Sequence, residues 1–324
     1  MSRARPAVRW RRAGILAGVI ADLVLADPRR AHPVAGFGRL ATDLERFSYR
    51  DSRVAGLLHT AVLAGGVTVA AAALQCRIRS GWARAALTAA ATWTALGGTT
   101  LARTGTRMAD LLDAGDLDGA RALLPSLCGR DPAALDEAGL ARAACESLAE
   151  NTSDAQVAPL LWAALAGAPG VLGYRAVNTL DAMIGNRSQR YARFGWAAAR
   201  LDDVANYLPA RLTGALVIGC APLGGESPAG AVRAWRRDAA RHPSPNAGVA
   251  EASFAGALGV RLGGPTQYRH QLEIRPTLGD GAPPGPADLR RAVRLSRMVQ
   301  TGALGAALVI SAAGRTGRRA SARS

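Results

Sequence analysis

The apolar positions of this chain fall into long runs that are separated by short, densely polar stretches. Residues 54–75 carry no charged side chain, and as a helix they would be about 33 Å long, enough to cross a bilayer. Residues 82–102 form a second run, joined to the first through the short turn CRIRSG. Residues 298–313 form a third, just before a basic tail. The pattern predicts membrane-spanning helices at all three places.

Three further apolar runs are interrupted or short. Residues 13–26 are short for a span and contain Asp22, and an acidic side chain is costly inside a bilayer. Residues 155–172 are broken by prolines and glycines, and residues 207–225 contain Arg211. We predict that these runs either span the membrane or enter it only partly, as re-entrant segments buried against protein.

Between the runs, residues 103–150 show amphipathic spacing and predict a soluble helical insert. The fold class that follows is all-α: a polytopic integral membrane protein with re-entrant or partial segments and amphipathic helical loops. Residues 1–324 are predicted to form a single membrane domain.

The type and placement of the cationic residues limit which mechanisms and partners are possible. The formal net charge is +16, and all 40 cationic side chains are arginine, because the sequence contains no lysine. A Walker A phosphate loop and imine catalysis both need a lysine, so neither mechanism is available. Arginines flank the apolar runs at both ends of the chain, which is typical of cytoplasmic membrane anchors. Nucleic acid is not a predicted partner, because no basic stripe alternates with stacking aromatic residues.

The stretch from Glu146 to Arg211 is the main candidate for a functional site. Glu146, Glu150 and Asp154 are spaced by four residues, so a continuous helix would place them on one face, with Asn151 beside them. Such a face is often simply solvated. Here an uncharged run follows at once, and carboxylates at a membrane boundary need partners such as Mg²⁺ with phosphate oxygens.

Two more polar clusters follow in the same stretch. The first is rich in arginine and amide side chains, and it either neutralises acids and lipid headgroups or binds phosphate through guanidinium pairs. Its members include Arg175, Asn178, Asp181 and Arg187. The second offers oxygen ligands for a hard cation, although paired aspartates also cap and solvate helices. Its members are Arg200, Asp202, Asp203, Asn206 and Arg211.

Two histidines lie in polar loops, each directly before a proline that restrains its backbone. His32 and His242 are candidates for a general base or a phosphate ligand. Arg241, Ser244 and Asn246 surround the second of them. If all these groups form one site, they lie on one side of the membrane, and residues 155–172 and 207–225 then do not both cross it.

Read together, several long strings resemble one family, the CobD/CbiB proteins of cobalamin biosynthesis. The strings are ADLVLADPRRAHPVAGFGRL, ESLAENTSDAQVAPLLWAALAG, YRAVNTLDAMIGNRSQRYARFGWAAARLDDVANYLPARL and RDAARHPSPNAGVAEASFAGALGVRLGG. The resemblance covers residues 14–312. It implies a multi-pass enzyme of the bacterial inner membrane, with its site facing the cytoplasm.

The implied reaction joins adenosylcobyric acid to (R)-1-amino-2-propanol phosphate, or to a related amino alcohol phosphate, and gives adenosylcobinamide phosphate. ATP and Mg²⁺ are the implied co-substrate and metal, and no tightly bound cofactor is expected. The lipid bilayer and other membrane enzymes of the late cobalamin pathway are the remaining candidate partners. A membrane transporter and a non-catalytic subunit that presents corrinoid are the alternatives.

This chemistry requires bases, metal ligands and phosphate-binding groups, and the polar clusters supply a candidate for each role. The catalytic candidates are Glu146, Glu150, Asp181, Asp203, His32 and His242. The Mg²⁺ ligand candidates are Glu150, Asp154, Asp202 and Asp203. The substrate and phosphate candidates are Asn151, Arg175, Asn178, Arg187, Arg200, Asn206, Arg211, Arg241, Ser244 and Asn246.

Overall fold

A computed structural model describes residues 4–28, 32–133, 135–186, 188–267 and 272–313, and it is mostly helical, as predicted. The helices in chain order are α1 (Ala4–Leu25), α2 (Pro33–Ser48), α3 (Arg53–Thr60), α4 (Gly66–Arg77), α5 (Gly81–Ala95), α6 (Gly98–Asp113), α7 (Leu117–Leu123), α8 (Glu137–Thr152), α9 (Ala158–Ile184), α10 (Tyr191–Phe194), α11 (Trp196–Ala205), α12 (Tyr207–Cys220), α13 (Pro228–Asp238), α14 (Ala247–Leu258) and α15 (Pro286–Ala313).

One short antiparallel hairpin, absent from the sequence-based expectation, joins α14 to α15. Its strands are β1 (Leu262–Gln267) and β2 (Leu272–Leu278). The register shifts between Leu262 and Gly264, where Gly263 and Gly264 have φ values of 79° and 84°. Glycine adopts this left-handed backbone without the steric penalty of a side chain. The resulting bulge turns the backbone of residue 263 toward α8.

The chain divides into two compact units that are both discontinuous in sequence. Unit 1 comprises Met1–Gly97, Ala158–Asn206 and Leu304–Ser324. Unit 2 comprises Gly98–Val157 and Tyr207–Ala303. The predicted single domain over residues 1–324 therefore contains two groupings of contacts, and no single cut of the chain separates them.

The predicted span at 54–75 is confirmed as a helix. In the part of the chain that the structure describes, three helical stretches are long and apolar enough to cross a membrane: Arg53–Arg77, Glu137–Ile184 and Pro286–Ala313. The first consists of α3, a π-helical turn at Ala61–Gly65 and α4. The last contains the predicted span at 298–313. These stretches support a membrane protein.

The prediction of one continuous helix over residues 82–102 is wrong. Helix α5 has 15 residues and ends at Ala95, and Leu96 adopts an extended backbone with ψ 149°. A new helix then begins at Gly98. At 1.5 Å per residue α5 is about 22 Å long, shorter than the hydrocarbon core of a bilayer. The glycine pair at 97–98 allows the break that the apolar pattern does not show.

The interruption predicted for residues 155–172 lies at Gly167, which has φ 67° and ψ −150° within α9. Two residues later Pro169 has no N–H, so the carbonyl of Leu165 loses its usual helical donor. Arg11 Nη1 donates to the carbonyl oxygens of Ala164 and Leu165, at 3.1 and 3.3 Å. A guanidinium from α1 thus satisfies the carbonyls that the break exposes.

The other predicted segments are also helical. The run at 207–225 corresponds to α12 and a following 3-10 turn, and this segment is bent by 43° from α11. The run at 13–26 lies within the longer helix α1, which begins at Ala4. The insert at 103–150 contains most of α6, all of α7 and most of α8. Which of these segments cross the membrane stays a prediction.

The core of unit 1 yields a direct stability prediction. A Cβ at Gly56 would lie 1.7 Å from the carbonyl oxygen of Phe194, a side chain at the centre of this core. We expect Gly56→Ala to lower the free energy of unfolding by about 1–3 kcal/mol, since backbone atoms must move apart. Thermal unfolding of the protein in detergent measures this change. Gly66→Ala is the matched control, because a Cβ there meets nothing within 4 Å; equal losses in both variants would contradict the close contact.

Candidate functional site

A buried ion pair in unit 2 holds the first predicted acid. Glu146 lies on α8 and is 2% exposed. Its Oε2 accepts a hydrogen bond from Arg130 Nη2, and its Oε1 accepts one of 2.7 Å from the backbone N–H of Gly263. Glu146 therefore joins three distant parts of the sequence, and its carboxylate is held by two donors.

A second arginine fastens the hairpin to the same helix. Arg142 Nη1 donates to the carbonyl of Gly263, and Nη2 donates to that of Pro265, both at 2.7 Å. Arg142 lies on α8 one turn before Glu146, so both side chains reach the bulge in β1. Glu146 and Arg142 therefore fix the bulge together, one by accepting from its N–H group and the other by donating to its C=O groups.

The centre of the cluster is a carboxylate that the sequence analysis did not select. Glu251 lies on α14 and is 1% exposed. His242 Nε2 is 3.7 Å from its Oε1, and Arg275 Nη1 on β2 is 4.0 Å from the same oxygen. Among the residues that the structure describes, neither carboxylate oxygen of Glu251 has a hydrogen-bond partner. A buried carboxylate in this condition is costly to a fold, which is typical of a working group.

Burial determines the protonation of Glu251 and His242. Glu251 does not lie in a membrane-spanning helix, because α14 has 12 residues, too few to span a bilayer. Desolvation raises the pKa of Glu251 well above its usual range, and the negative charges of Glu146 and Glu150 act in the same direction. Desolvation also lowers the pKa of His242. The pair therefore favours a neutral acid beside a neutral imidazole.

The imidazole is oriented by its own loop. His242 Nδ1 lies 3.1 Å from both the backbone nitrogen and the carbonyl oxygen of Ser244. It can therefore either accept from the N–H or donate to the carbonyl, and Nε2 carries the proton in the first case only. In both cases Nε2 stays directed at Glu251. At 3.7 Å the two atoms are too far apart for a hydrogen bond, so the two side chains lie beside each other without sharing a proton in this arrangement.

Of the remaining predicted residues in and after α8, Glu150 lies near this cluster. Glu150 is exposed, and the charges that act on it are those of Arg275, Arg130 and Glu146. Asp154 is half-buried in a π-helical turn that follows α8, so the regular spacing of four does not continue to it. Asn151 donates to the carbonyl and hydroxyl oxygens of Ser147.

The predicted metal ligands are not gathered into a protein-only metal centre. No group of three His, Cys, Asp or Glu side chains that could hold a metal ion occurs among the described residues. Mg²⁺ is commonly bound by one or two carboxylates together with substrate phosphates and water. Glu150, beside two arginines, fits that arrangement, and its role stays a prediction.

The other candidates in unit 2 support the His242 loop. Asn246 is buried, and its Oδ1 accepts a 2.6 Å hydrogen bond from Arg211, which also stacks on Tyr207. Ser244 Oγ accepts from the N–H groups of Asn246 and Ala247, at the start of α14. These contacts hold the loop in place.

Arg241 is an exposed member of a neighbouring ion-pair group. Its Nη1 is 3.6 Å from Asp238, which Arg237 also binds through two nitrogens, each at 2.7 Å. Although burial raises the pKa of Asp238, the hydrogen bonds from Arg237 and from the backbone of Gly279 outweigh it and lower the pKa. Asp238 is thus a paired, charged group, unlike Glu251.

In unit 1 the structure brings five polar side chains into one hydrogen-bonded chain. Asp202 accepts from Asn178 at 3.3 Å and from Asn206 at 2.9 Å. Tyr174 donates to Asn206, and Arg175 donates to Asn178. Four of these five residues were predicted site residues, and the structure brings them together, while a binding role for this network stays a prediction.

The rest of the unit 1 candidates have simpler surroundings. His32 caps α2, because its Nδ1 accepts from the N–H of Val34, while its Nε2 lies 3.6 Å from Asp27. Asp203 pairs with the exposed Arg200 at 3.3 Å, as solvated helix neighbours do. Asp181 is half-buried near the end of α9. Arg187 lies outside the described residues.

Three residues of the central cluster were missed by the sequence analysis. Arg130 and Arg275 are far in sequence from Glu146 and Glu251, and only the fold brings them together. Glu251 did give a signal, since it is the one charged residue of the apolar run AGVAEASFAGAL. An isolated carboxylate in such a run predicts either a partner or a function.

Comparison with known proteins identifies a family for this chain. The family model described as CobD/Cbib protein matches residues 15–296. The chain is 67% identical over 293 residues to cobalamin biosynthesis protein CobD of Mycobacterium tuberculosis, covering 90% of this chain and 93% of that protein. It is 46% identical to the CobD protein of Geobacter metallireducens over 277 residues (83% and 87%), and 44% identical to that of Rhodobacter capsulatus over 290 residues (87% and 91%). No solved structure matches.

The helices and the buried carboxylate cluster define a helical membrane protein with an enzyme-like site. The chain belongs to the CobD/CbiB family, and its role lies in cobalamin biosynthesis.

Proposed function

We propose that the chain is an adenosylcobinamide-phosphate synthase. It joins the free propionate of adenosylcobyric acid to the amine of (R)-1-amino-2-propanol phosphate, or of a related amino alcohol phosphate, with ATP as the energy source. The observation that carries the proposal is Glu251, a buried acidic side chain that finds no hydrogen-bond partner among the described residues and lies between His242 and Arg275. Amide synthesis needs a proton acceptor beside cationic groups, and this cluster offers both.

The reaction proceeds in two balanced steps. A carboxylate oxygen of the propionate attacks the γ-phosphorus of ATP, the bond between that phosphorus and the bridging oxygen breaks, and ADP leaves with the bond electrons. The amine nitrogen then attacks the acyl carbon of the acyl phosphate, the carbon–oxygen bond to phosphate breaks, and inorganic phosphate leaves. The nitrogen loses one proton, and the amide remains.

The residues of unit 2 supply the parts that these steps need. Arg275 and Arg130 lie beside the carboxylates and stabilise negative charge on the phosphoryl group in transfer. The ionised form of Glu251 accepts the proton that the amine nitrogen loses, because burial raises the pKa of this carboxyl and so makes its carboxylate a stronger base, with the neutral imidazole of His242 beside it. Mg²⁺, with Glu150 as a candidate ligand, would supply charge neutralisation on the ATP phosphates.

The network around Asp202 in unit 1 is a second binding element in this proposal. Amide and guanidinium groups of Asn178, Asn206 and Arg175 are suited to a phosphate or to the amide-rich edge of a corrinoid. The reaction is proposed to occur at the cytoplasmic face, where ATP is present. Other membrane enzymes of the late cobalamin pathway are candidate partners there.

The test is turnover by the purified, full-length protein in detergent. Adenosylcobyric acid, ATP, Mg²⁺ and aminopropanol phosphate should give adenosylcobinamide phosphate, ADP and phosphate in equal amounts. Glu150→Gln should lose most of this activity, whereas Asp118→Asn on the surface of α7 should keep it, because Asp118 is 97% exposed. Absence of product with every amino alcohol phosphate would refute the synthase.

Transport is the second candidate function, because of the interrupted helices. The break at Gly167 and the 43° bend between α11 and α12 are features that transporters also use. Proteoliposomes loaded with corrinoid distinguish the two: release without ATP-dependent amide formation would favour transport.

A further inference from the structure

A small basic pocket in unit 1 contains none of the residues assigned to the proposed reaction. It has a volume of about 170 Å³ and is lined by Arg11, Gln75, Cys76, Arg84 and Thr88. Arg11 belongs to α1, Gln75 and Cys76 to the last turn of α4, and the other two residues to α5. A cavity of roughly 150 Å³ is large enough for a benzene-sized group, so the pocket has room for a phosphate ester.

Both guanidinium groups of the pocket are held by backbone carbonyls. Arg11 Nη1 donates to Ala164 and Leu165, as described for the break in α9, and Arg84 Nε donates to Ile78 at 2.8 Å. A guanidinium has five N–H donors, so these bonds orient each group while using a minority of its donors. The described lining of the pocket contains no Asp or Glu. Two oriented cations that share a small pocket without an acid favour an anionic ligand.

The position of the pocket along the helices indicates where that anion comes from. The candidate span Arg53–Arg77 ends beside it, so Gln75 and Cys76 lie at the level where a spanning helix leaves the hydrocarbon. Trp82 is 71% exposed and packs on Trp10 with ring centroids 4.4 Å apart. Exposed tryptophans are enriched at the headgroup level of membranes.

Two of the helices that line the pocket also expose apolar side chains. Val69 and Leu74 on α4, and Leu16 on α1, are exposed to 67%, 49% and 40%. These side chains give α1 and α4 apolar surface that acyl chains can contact. A molecule that joins a phosphate to long apolar chains would contact both surfaces at once.

We propose that the Arg11–Arg84 pocket binds the phosphate of an anionic phospholipid headgroup, with the acyl chains along α1 and α4. Each nearby arginine contributes a factor of about five to the binding of an anionic lipid, so two arginines give an expected preference of roughly 30-fold over a zwitterionic lipid. A soluble phosphate shares the headgroup chemistry but has no acyl chains, which separates the two sources experimentally.

Cys76 is a natural reporter for this site. It is exposed, whereas Cys145 and Cys220 are buried and Cys128 is half-buried. In a Cys128→Ser background, the rate of maleimide labelling at Cys76 is measured in phosphatidylcholine nanodiscs, in nanodiscs that also contain phosphatidylglycerol, and in the first nanodiscs with inorganic phosphate. We expect several-fold slower labelling with phosphatidylglycerol and no change with inorganic phosphate.

Two variants separate binding in the pocket from general surface charge. Arg84→Gln should remove the protection, while Arg79→Gln, an exposed arginine outside the lining, should keep it. Native mass spectrometry of the wild-type protein gives a measurement that needs no variant, and phosphatidylglycerol should be retained in preference to phosphatidylcholine. Protection by inorganic phosphate alone, equal protection in Arg84→Gln, or no lipid preference would each overturn the proposal.

Discussion

Replacement of Glu251 by glutamine is expected to lower kcat by about 100-fold or more, because general base catalysis contributes factors of about 10²–10⁴. Glutamine keeps the shape of the side chain but cannot accept the proton of the amine. The measurement is the rate of adenosylcobinamide phosphate formation by the purified protein at saturating substrates. KM should change less than kcat, since the lost group acts on the transferred proton.

The same substitution is expected to preserve or raise thermal stability. The pKa of Glu251 is raised in the folded protein, chiefly by burial. Its contribution to stability is therefore complete below the pKa of an unfolded glutamate and is lost as the pH rises through the folded pKa. Glutamine stays neutral, so the Tm of Glu251→Gln should exceed that of the wild type increasingly as the pH is raised from about 4 to 8.

A paired buried acid provides the control. Glu226 is 8% exposed and accepts two hydrogen bonds from Arg291. Glu226→Gln should lower Tm, because it weakens a satisfied ion pair, and should leave kcat unchanged. If Glu251→Gln also lost stability and kept its activity, Glu251 would be a structural residue.

Replacement of Arg130 by alanine is expected to have the largest effect on stability. Removal of one member of a buried ion pair costs about 3–5 kcal/mol, since the other charge stays buried and uncompensated. Arg130 and Glu146 are 5% and 2% exposed. Thermal unfolding in detergent, with yield after membrane extraction as a second readout, measures the loss.

Two further variants are controls for the stability loss expected in Arg130→Ala. Arg130→Met combined with Glu146→Gln should recover much of the lost stability without recovering activity, because the uncompensated charge is gone. Arg290→Ala, which removes an arginine that is 36% exposed and pairs with the more exposed Asp110 and Asp113, should cost at most about 1 kcal/mol. Equal costs for Arg130→Ala and Arg290→Ala would contradict a buried, coupled pair.

The helical class and the span at 54–75 could be read from the sequence because an uncharged run long enough to cross a bilayer has few other solutions. The end of α5 at Ala95 could not, since it depends on an extended Leu96 before two glycines within an apolar run. Hydropathy measures burial, and it is insensitive to a backbone break between two buried helices.

The candidate site likewise contains residues that the sequence could identify and residues that it could not. Glu146 and Asn206 were selected as polar residues beside apolar runs, and both are buried in hydrogen-bond networks, while their functional roles stay predictions. Arg130 and Arg275 were missed because their partners are more than 15 residues away along the chain. Two of the selected residues, His32 and Asp203, have local roles as a helix cap and a solvated pair. Sequence spacing resolves contacts within a helix better than contacts between elements.

The helix Arg53–Arg77 has aromatic–arginine pairs near both ends, so the tilt of this helix should depend on the thickness of the membrane. At one end Arg53 lies over Trp196 at 5.4 Å and Arg190 over Tyr49 at 4.1 Å, and near the other end Arg9 lies over Trp10 at 5.7 Å. With 25 residues the helix is about 37 Å long, against a hydrocarbon core of about 30 Å. The surplus length lets the arginine–aromatic pairs near both ends lie among the headgroups, so a thinner bilayer would increase the tilt of the helix and a thicker one would decrease it.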